Sequence, residues 1–322
     1  MKGLELARAF YDEYGAPMLE ERFPELAPYI CAGLVGSGSE CYGYDDEVSR
    51  DHDFEPGFCL FIPDENITGE DGNPLIDSRA EFRLSRAYAS LPKEYLGFRR
   101  NLINPVGGSR HGVIRMGDFW KKAVGAPDGV LDVRSWLSLP EYALAEAING
   151  EIFRDDLGMF SAIRRGLRRY PEDIRNKKIA GYLLIMEQSG EYNYPRTLLH
   201  GETGAAQLAV YEFVKASMHV AFLLAGEYMP YYKWAFRALK ETKVLPALAH
   251  PLEELLSTPN DESSVREKKE LIGHISSVVA KTILLCGIAD IETDNLERLA
   301  YAVNDRVKDP TLRTMNILAG VE

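Results

Sequence analysis

Hydrophobic and polar positions change character partway along the chain. Before residue 140, apolar residues come in short runs broken by glycine, proline and turn-forming polar residues. The runs at 30–35, 53–62 and 112–116 predict strands. After about Glu141, apolar residues recur at helical spacing over longer segments, at 179–186, 208–224, 234–239, 272–285 and 296–303. Ser138-Leu139-Pro140-Glu141 reads as a helix start, with proline early and an acid in the first turn. Tyr170-Pro171 and Met229-Pro230 read as stops or kinks. The pattern predicts an α+β domain over residues 1–140, a mixed sheet with flanking helices, followed by an all-α bundle over residues 141–322.

A chain of 322 residues is long enough for two cores of ordinary size. The hydrophobic share of 46% and charged share of 27% are those of a folded globular protein. The start, Met1-Lys2-Gly3-Leu4-Glu5, lacks the basic and apolar regions of a signal peptide. The longest apolar stretch, 205–224, is interrupted by Gln207, Glu212, Lys215 and His219, a poor composition for a bilayer span. The expectation is a cytoplasmic protein without a membrane partner. Cys31, Cys41, Cys59 and Cys286 have no Cys-x-x-Cys spacing, and apolar neighbours around three of them suggest buried thiols. A net charge of −12 argues against broad non-specific nucleic-acid binding.

Candidate chemistry concentrates between Leu34 and Phe54. A predicted strand runs into Gly36-Ser37-Gly38-Ser39, Gly43 follows, and a second predicted strand carries Asp51-His52-Asp53. Glycines allow a sharp turn whose successive N–H groups form an anion-binding nest, and Ser37 or Ser39 can add a hydroxyl donor. On a strand, Asp51 and Asp53 project from one face and His52 from the other. Two carboxylates on one face are hard oxygen ligands suited to Mg²⁺ or Mn²⁺, with substrate phosphates completing the shell. The second acidic cluster, Asp290 to Asp294, precedes a helix start and is assigned no catalytic role. Gly36-x-Gly38 has Cys41 where a dinucleotide fingerprint needs its third glycine, no P-loop ending is present, and Gly107-Gly108-Ser109-Arg110-His111 is no nucleophile elbow.

Gly38-Ser39-x-x-x-Gly43, then Ser49 and Asp51-x-Asp53, resembles the signature of the polymerase-β-like nucleotidyltransferase superfamily, with about one extra residue before the acidic pair. The wider chain resembles an uncharacterised bacterial group within it that has a C-terminal helical domain. The shared phrases are Trp136 to Glu141, Gly190-Glu191-Tyr192-Asn193-Tyr194 and Tyr231-Tyr232-Lys233-Trp234. The resemblance implies metal-dependent transfer of a nucleoside monophosphate from a nucleoside triphosphate to an acceptor hydroxyl or phosphate. It also implies a third carboxylate on a neighbouring strand. The predicted strand at 112–116 contains no acid; Asp118 lies just beyond it, with Glu81 and Asp132 as further candidates. Asp118 reads either as that residue or as a helix N-cap.

In the helical half, Arg164, Arg165, Arg168, Arg169, Arg175, Lys177 and Lys178 cluster within fifteen residues. They suit either a triphosphate or a helix C-terminus with solvated surface. If the bundle folds over the cleft, as in nucleotidyltransferases resembling the kanamycin-modifying enzymes, Lys178 is the residue to reach the β- or γ-phosphate. Lys233, Arg237 and Lys240 adjoin Tyr228, Tyr231, Tyr232 and Trp234, a surface for a base or an anionic acceptor, or bundle core with a solvated cationic face. The leading expectation is a nucleotidyltransferase in which Asp51 and Asp53 hold Mg²⁺ and act with Asp118, while Gly36, Ser37, Gly38 and Ser39 cradle the triphosphate. The acceptor, a small molecule, a protein or an RNA end, is left open. The alternatives are a nucleotide-binding regulator or sensor with weakened catalysis, and a helical partner-binding scaffold.

Overall fold

The computed structural model describes residues 1–48, 54–100 and 111–321. The chain divides into two compact units, Met1–Val130 with Ala143–Arg168, and Leu131–Tyr142 with Arg169–Glu322.

In the first unit, α1 (Gly3–Phe10) continues through a π-helical turn (Tyr11–Gly15) into α2 (Ala16–Arg22). Strand β1 (Cys31–Leu34) and β2 (Cys59–Ile62) follow, then α3 (Ser78–Ala89), a small ribbon of β3 (Glu94–Tyr95) and β4 (Phe98–Arg99), β5 (Gly112–Arg115) and α4 (Met116–Val124). Helix α5 (Val133–Ser138) belongs to the second unit and α6 (Glu141–Ile148) begins in it, whereas β6 (Glu151–Arg154) and α7 (Met159–Leu167) return to the first. The main sheet has the order β5-β2-β1-β6, with β1 antiparallel to both neighbours and β2 parallel to β5.

Both faces of β2 are covered, which is why Cys59-Leu60-Phe61-Ile62 is a continuous apolar run. Leu60 and Ile62 share a core with Phe10, Leu19 and Leu84 from α1, α2 and α3. Phe61, on the opposite face, stacks on Phe160 of α7 at 4.2 Å, and Phe160 meets Trp120 of α4 at 4.7 Å. Full burial of side chains of this size contributes about 1.5–3 kcal/mol each.

Two sequence expectations change here. Strand β2 starts at Cys59, six residues beyond Asp53, because Pro56 cannot donate to a ladder and residues 54–58 form an irregular approach. The chain passes between the units at 130/131, 142/143 and 168/169 rather than once near residue 140, and residues 143–168 lie in the first unit, where β6 pairs with β1, Gly33 facing Ile152 and Leu34 facing Glu151.

In the second unit, α8 (Glu172–Met186) runs through a π-helical turn (Glu187–Asn193) into α9 (Tyr194–Leu199). Pro195 lies in the first turn of α9, directly after the π-helical turn. Helix α10 (Thr203–Ala225) is followed by α11 (Tyr232–Glu241), α12 (Ala249–Ser257), α13 (Val265–Leu285), α14 (Leu296–Asp305) and α15 (Pro310–Thr314). Helices α8 and α10 are buried around much of their circumference, and α8 packs on α10 and α14. By length and composition α10 could cross a bilayer, yet 72% of its most apolar window is buried in the fold, as for a core helix. The architecture is therefore a mixed α/β core followed by a run of long helices.

Candidate functional site

Strand β1 is buried throughout and delivers the chain into the Gly-Ser turn. Gly36 and Gly38 have φ of 112° and 144°, values that side chains strongly disfavour. Asn149 holds the Gly36 peptide at both ends: its Oδ1 accepts from Gly36 N–H at 2.9 Å, and its Nδ2 donates to Gly36 C=O at 2.9 Å. The next residue, Gly150, donates its N–H to the Cys41 carbonyl at 2.9 Å. Arg164 of α7 in turn donates to the carbonyls of Ile148 and Asn149, which anchors the brace from behind.

The far side of the turn is also tied. Ser39 C=O accepts from Tyr44 N–H at 2.8 Å, a 3₁₀ turn spans Glu40–Tyr42, and Gly43 closes it at φ 71°. Buried Asp45 accepts the first N–H of α1, from Gly3, at 2.8 Å. Among the described residues the amide groups of Gly38 and Ser39 donate to no partner. A loop held this way keeps both amide groups in place, so that taking up an anion would require little reorganisation.

Gly150 tests this architecture. A Cβ there would lie 2.0 Å from the Leu34 carbonyl oxygen, at φ +66°. Gly150→Ala is expected to destabilise the first unit by at least about 2 kcal/mol, through left-handed strain plus displacement of the brace. A fall in the unfolding midpoint of several degrees checks it; an unchanged midpoint would remove Asn149-Gly150 from the turn's support.

Asp51 and Asp53, the expected metal ligands, lie outside the described residues. The sheet register nevertheless identifies the end at which the turn stands. Gly33 faces Cys59 and Cys59 faces Gly112, so the end of β1 and the starts of β2 and β5 lie together. Asp118 follows the other end of β5, where Arg115 faces Ile62. Three strand steps separate those ends, roughly 10 Å, so the fold does not bring Asp118 to the turn. It is exposed in the first turn of α4, and it is not the cap either. Asp64 serves that end instead, accepting from Gly117 N–H at 3.0 Å; burial raises its pKa, opposed by that hydrogen bond. Glu81 is also remote, bound to Arg115 at 2.6 Å, and Asp132 caps α5 through Ser135 N–H at 2.7 Å.

At the turn's end of the sheet stands a pair that the sequence reading passed over. His111 Nδ1, directly before β5, lies 3.3 Å from Glu55 Oε1, ahead of β2, and both side chains are nearly buried. The available signal was spacing: Glu55 continues the alternation Asp51-x-Asp53-x-Glu55. Among the described residues no group of three or more His, Cys, Asp or Glu side chains is gathered for a metal ion.

The basic cluster is divided by the fold. Arg164, Arg165 and Arg168 belong to the first unit, and Arg169, Arg175, Lys177 and Lys178 to the second. Lys178 is fully buried, with Nζ donating to Gly320 C=O at 2.7 Å and lying 5.3 Å from the Tyr170 ring centre. To reach a phosphate it would have to break those contacts, so its observed role is to hold the C-terminal segment. Lys177 is buried likewise, donating to Asn304 Oδ1 at 2.9 Å and Met315 C=O at 2.8 Å. On α11, Lys233 covers Trp234 at 5.0 Å and Lys240 pairs with Glu253 at 2.8 Å. Tyr231 and Tyr232 are exposed beside them while Tyr228 is buried, so the aromatic surface is partly core. In the second acidic cluster Asp290 pairs with Arg306, and Asn295, not an acid, caps α14.

A family model described as "Domain of unknown function (DUF4037)" matches residues 136–235. No curated protein matches the chain. A solved structure described as a nucleotidyltransferase-like protein from Exiguobacterium sibiricum is similar at 14% identity and a TM-score of 0.35, over 88% of this chain and 76% of that one.

Proposed function

We propose that the protein binds a nucleoside triphosphate at the Gly36–Ser39 turn and transfers its nucleoside monophosphate to an acceptor, with Asp51 and Asp53 as ligands for Mg²⁺ or Mn²⁺. The observation that carries this reading is the braced turn. Two amide donors without a partner among the described residues are held at the sheet end where β2 and β5 begin. The following chain carries the Asp51-x-Asp53 pair. That pair is a hard-oxygen donor set short of a full shell, which suits a cation that also binds phosphates. When bound, the metal would supply charge neutralisation across the phosphates and alignment of the α-phosphorus. The amides of Gly38 and Ser39 would take phosphate oxygens, and Ser37 or Ser39 would add a hydroxyl donor. Glu55, not Asp118, is then the carboxylate available to orient an acceptor. A cytoplasmic location fits nucleotide supply.

Incubation with each α-labelled nucleoside triphosphate, Mg²⁺ or Mn²⁺ and a cell extract tests the transfer. Covalent label on an acceptor is expected with at least one nucleotide. Glu55→Gln should leave triphosphate affinity within about threefold while transfer falls about 100-fold, as for loss of a group acting on the acceptor proton. Equal losses in both would assign Glu55 to binding.

One observation favours a second reading, a nucleotide-binding regulator. Among the described residues β5 carries no acid, and Asp118 and Glu81 lie toward the other end of the sheet. Metal-dependent binding without label from any of the four nucleotides would decide for it.

A further inference from the structure

The second unit contains a cleft of about 220 Å³ between the end of α10 and the start of α8, lined by Arg169, Tyr170, Arg175, Gly226, Glu227 and Tyr228 among others. Two guanidinium groups line it, and among the described residues neither donates a hydrogen bond; Arg175 attracts the Glu172 carboxylate only through space. Arg175 Nε is buried without a hydrogen bond, and neither arginine forms an ion pair among the described residues. A buried donor left in this state is uncommon in a folded protein and calls for an acceptor from outside the chain.

The neighbouring acids do not supply that acceptor. Glu172 is held by Lys308 at 2.8 Å, and Asp173 accepts the N–H groups of Lys308 and Asp309 at 3.0 and 2.9 Å. Glu227 is exposed and makes no ion pair among the described residues. The carbonyls ending α10 do not occupy Arg169 either. Gly226 and Glu227 N–H groups bond back to Leu223 and Phe222 at 3.2 and 3.0 Å, closing the helix by its own backbone. Arg169 Nε lies near Gly226, 3.9 Å from where a Cβ would stand, and donates to none of these oxygens.

We propose that this cleft is an anion site in the helical unit, binding the phosphate group of a phosphorylated small molecule between Arg169 and Arg175. Two permanently charged forks match a phosphate dianion and its several acceptor oxygens. The volume is below that of most sites for drug-sized ligands, and takes a phosphate with a sugar-sized body in preference to a whole nucleotide. Tyr170 and Tyr228, with rings 4.9 Å apart, form its aromatic wall. The site is independent of the Gly-Ser turn and of the transferase reading.

Calorimetric titration of the full chain with inorganic phosphate and with ribose 5-phosphate, at fixed ionic strength with EDTA present, tests it. Wild type and Asp53→Asn should bind both alike. Arg169→Gln and Arg175→Gln should each weaken binding at least about tenfold, the loss of a charge-assisted hydrogen bond. Binding unaffected by either arginine variant, or no binding by wild type, overturns the proposal. Should Arg175→Gln fail to fold by circular dichroism, Arg169→Gln, at an exposed residue, decides alone. Tighter binding of ribose 5-phosphate identifies an ester as ligand, and equal binding identifies free phosphate.

Discussion

Asp53→Asn is expected to lower Mg²⁺-dependent affinity for a nucleoside triphosphate by at least about 100-fold, since even outer partners of metal ligands are worth 10–100-fold. Replacing a carboxylate by an amide removes a full negative charge from a hard-cation site and leaves a weaker donor. The same change removes repulsion against a polyanion. In EDTA the variant should therefore bind the triphosphate as well as wild type or slightly better, through the turn alone. Opposite effects with and without metal are the signature to measure, by calorimetry or nucleotide fluorescence. Wild-type affinity in the presence of Mg²⁺ would end the role assigned to Asp53. Equal loss in both conditions would mean that the residue acts through the fold.

Glu141→Ala should be the most destabilising single change in the helical unit. The Glu141 carboxylate is 1% exposed, accepts from Met229 N–H at 3.0 Å, and lies 2.9 Å from His219 Nδ1. His219, fully buried in α10, is stacked on Tyr182 of α8 at 4.3 Å with the rings nearly parallel. Alanine leaves an amide and an imidazole without partners in an apolar core. Breaking a buried pair of this kind costs about 3–5 kcal/mol. Glu141→Gln keeps an acceptor oxygen and should cost less, about 1–2 kcal/mol. Hydrogen exchange reports opening element by element, so exchange along α10 is the appropriate readout. Protection there should fall by more than about 100-fold for the alanine variant, which follows from 3 kcal/mol at 1.4 kcal/mol per decade. Protection unchanged in Glu141→Ala would show that the pair contributes nothing net.

Much of the fold is legible along the chain because its signals are local. The apolar runs before and after the Gly-rich segments mark β1 and β5, and the period of apolar positions from 179 onward marks α8, α10, α11, α13 and α14. The start of β2 was placed too early because an apolar run does not show where a ladder partner begins. Strand β6 was missed for a related reason. Glu151-Ile152-Phe153-Arg154 is four residues between helices, and its identity as a strand comes from pairing with β1 more than a hundred residues earlier.

The candidate site divides in the same way. Gly36, Gly38 and Gly43 announced a turn, and all three have the positive φ that such a turn requires. Asn149 could not be recognised as its support, since the contact spans 113 positions in the chain. Lys178 looked like a phosphate ligand because its charge is visible in sequence and its burial is not. The carbonyl that takes its proton donor belongs to Gly320, 142 residues away. Asp118 followed the strand closely enough to be considered, but its distance from the turn depends on the direction of β5 in the sheet.

By itself, then, the amino-acid sequence determined β1, β5, the Gly-rich turn and the long helices, that sheet-forming segments precede a helical half, and where phosphate- and metal-seeking residue types occur. Those properties rest on backbone preference and on periodicity over a few residues. Tertiary structure decided which end of the sheet Glu55, Glu81 and Asp118 occupy, which cations are buried and satisfied, and that Glu55 meets His111 while Arg169 and Arg175 share a cleft. Strand direction and long-range closure set those outcomes, and both are fixed only when distant segments bury one another's surface.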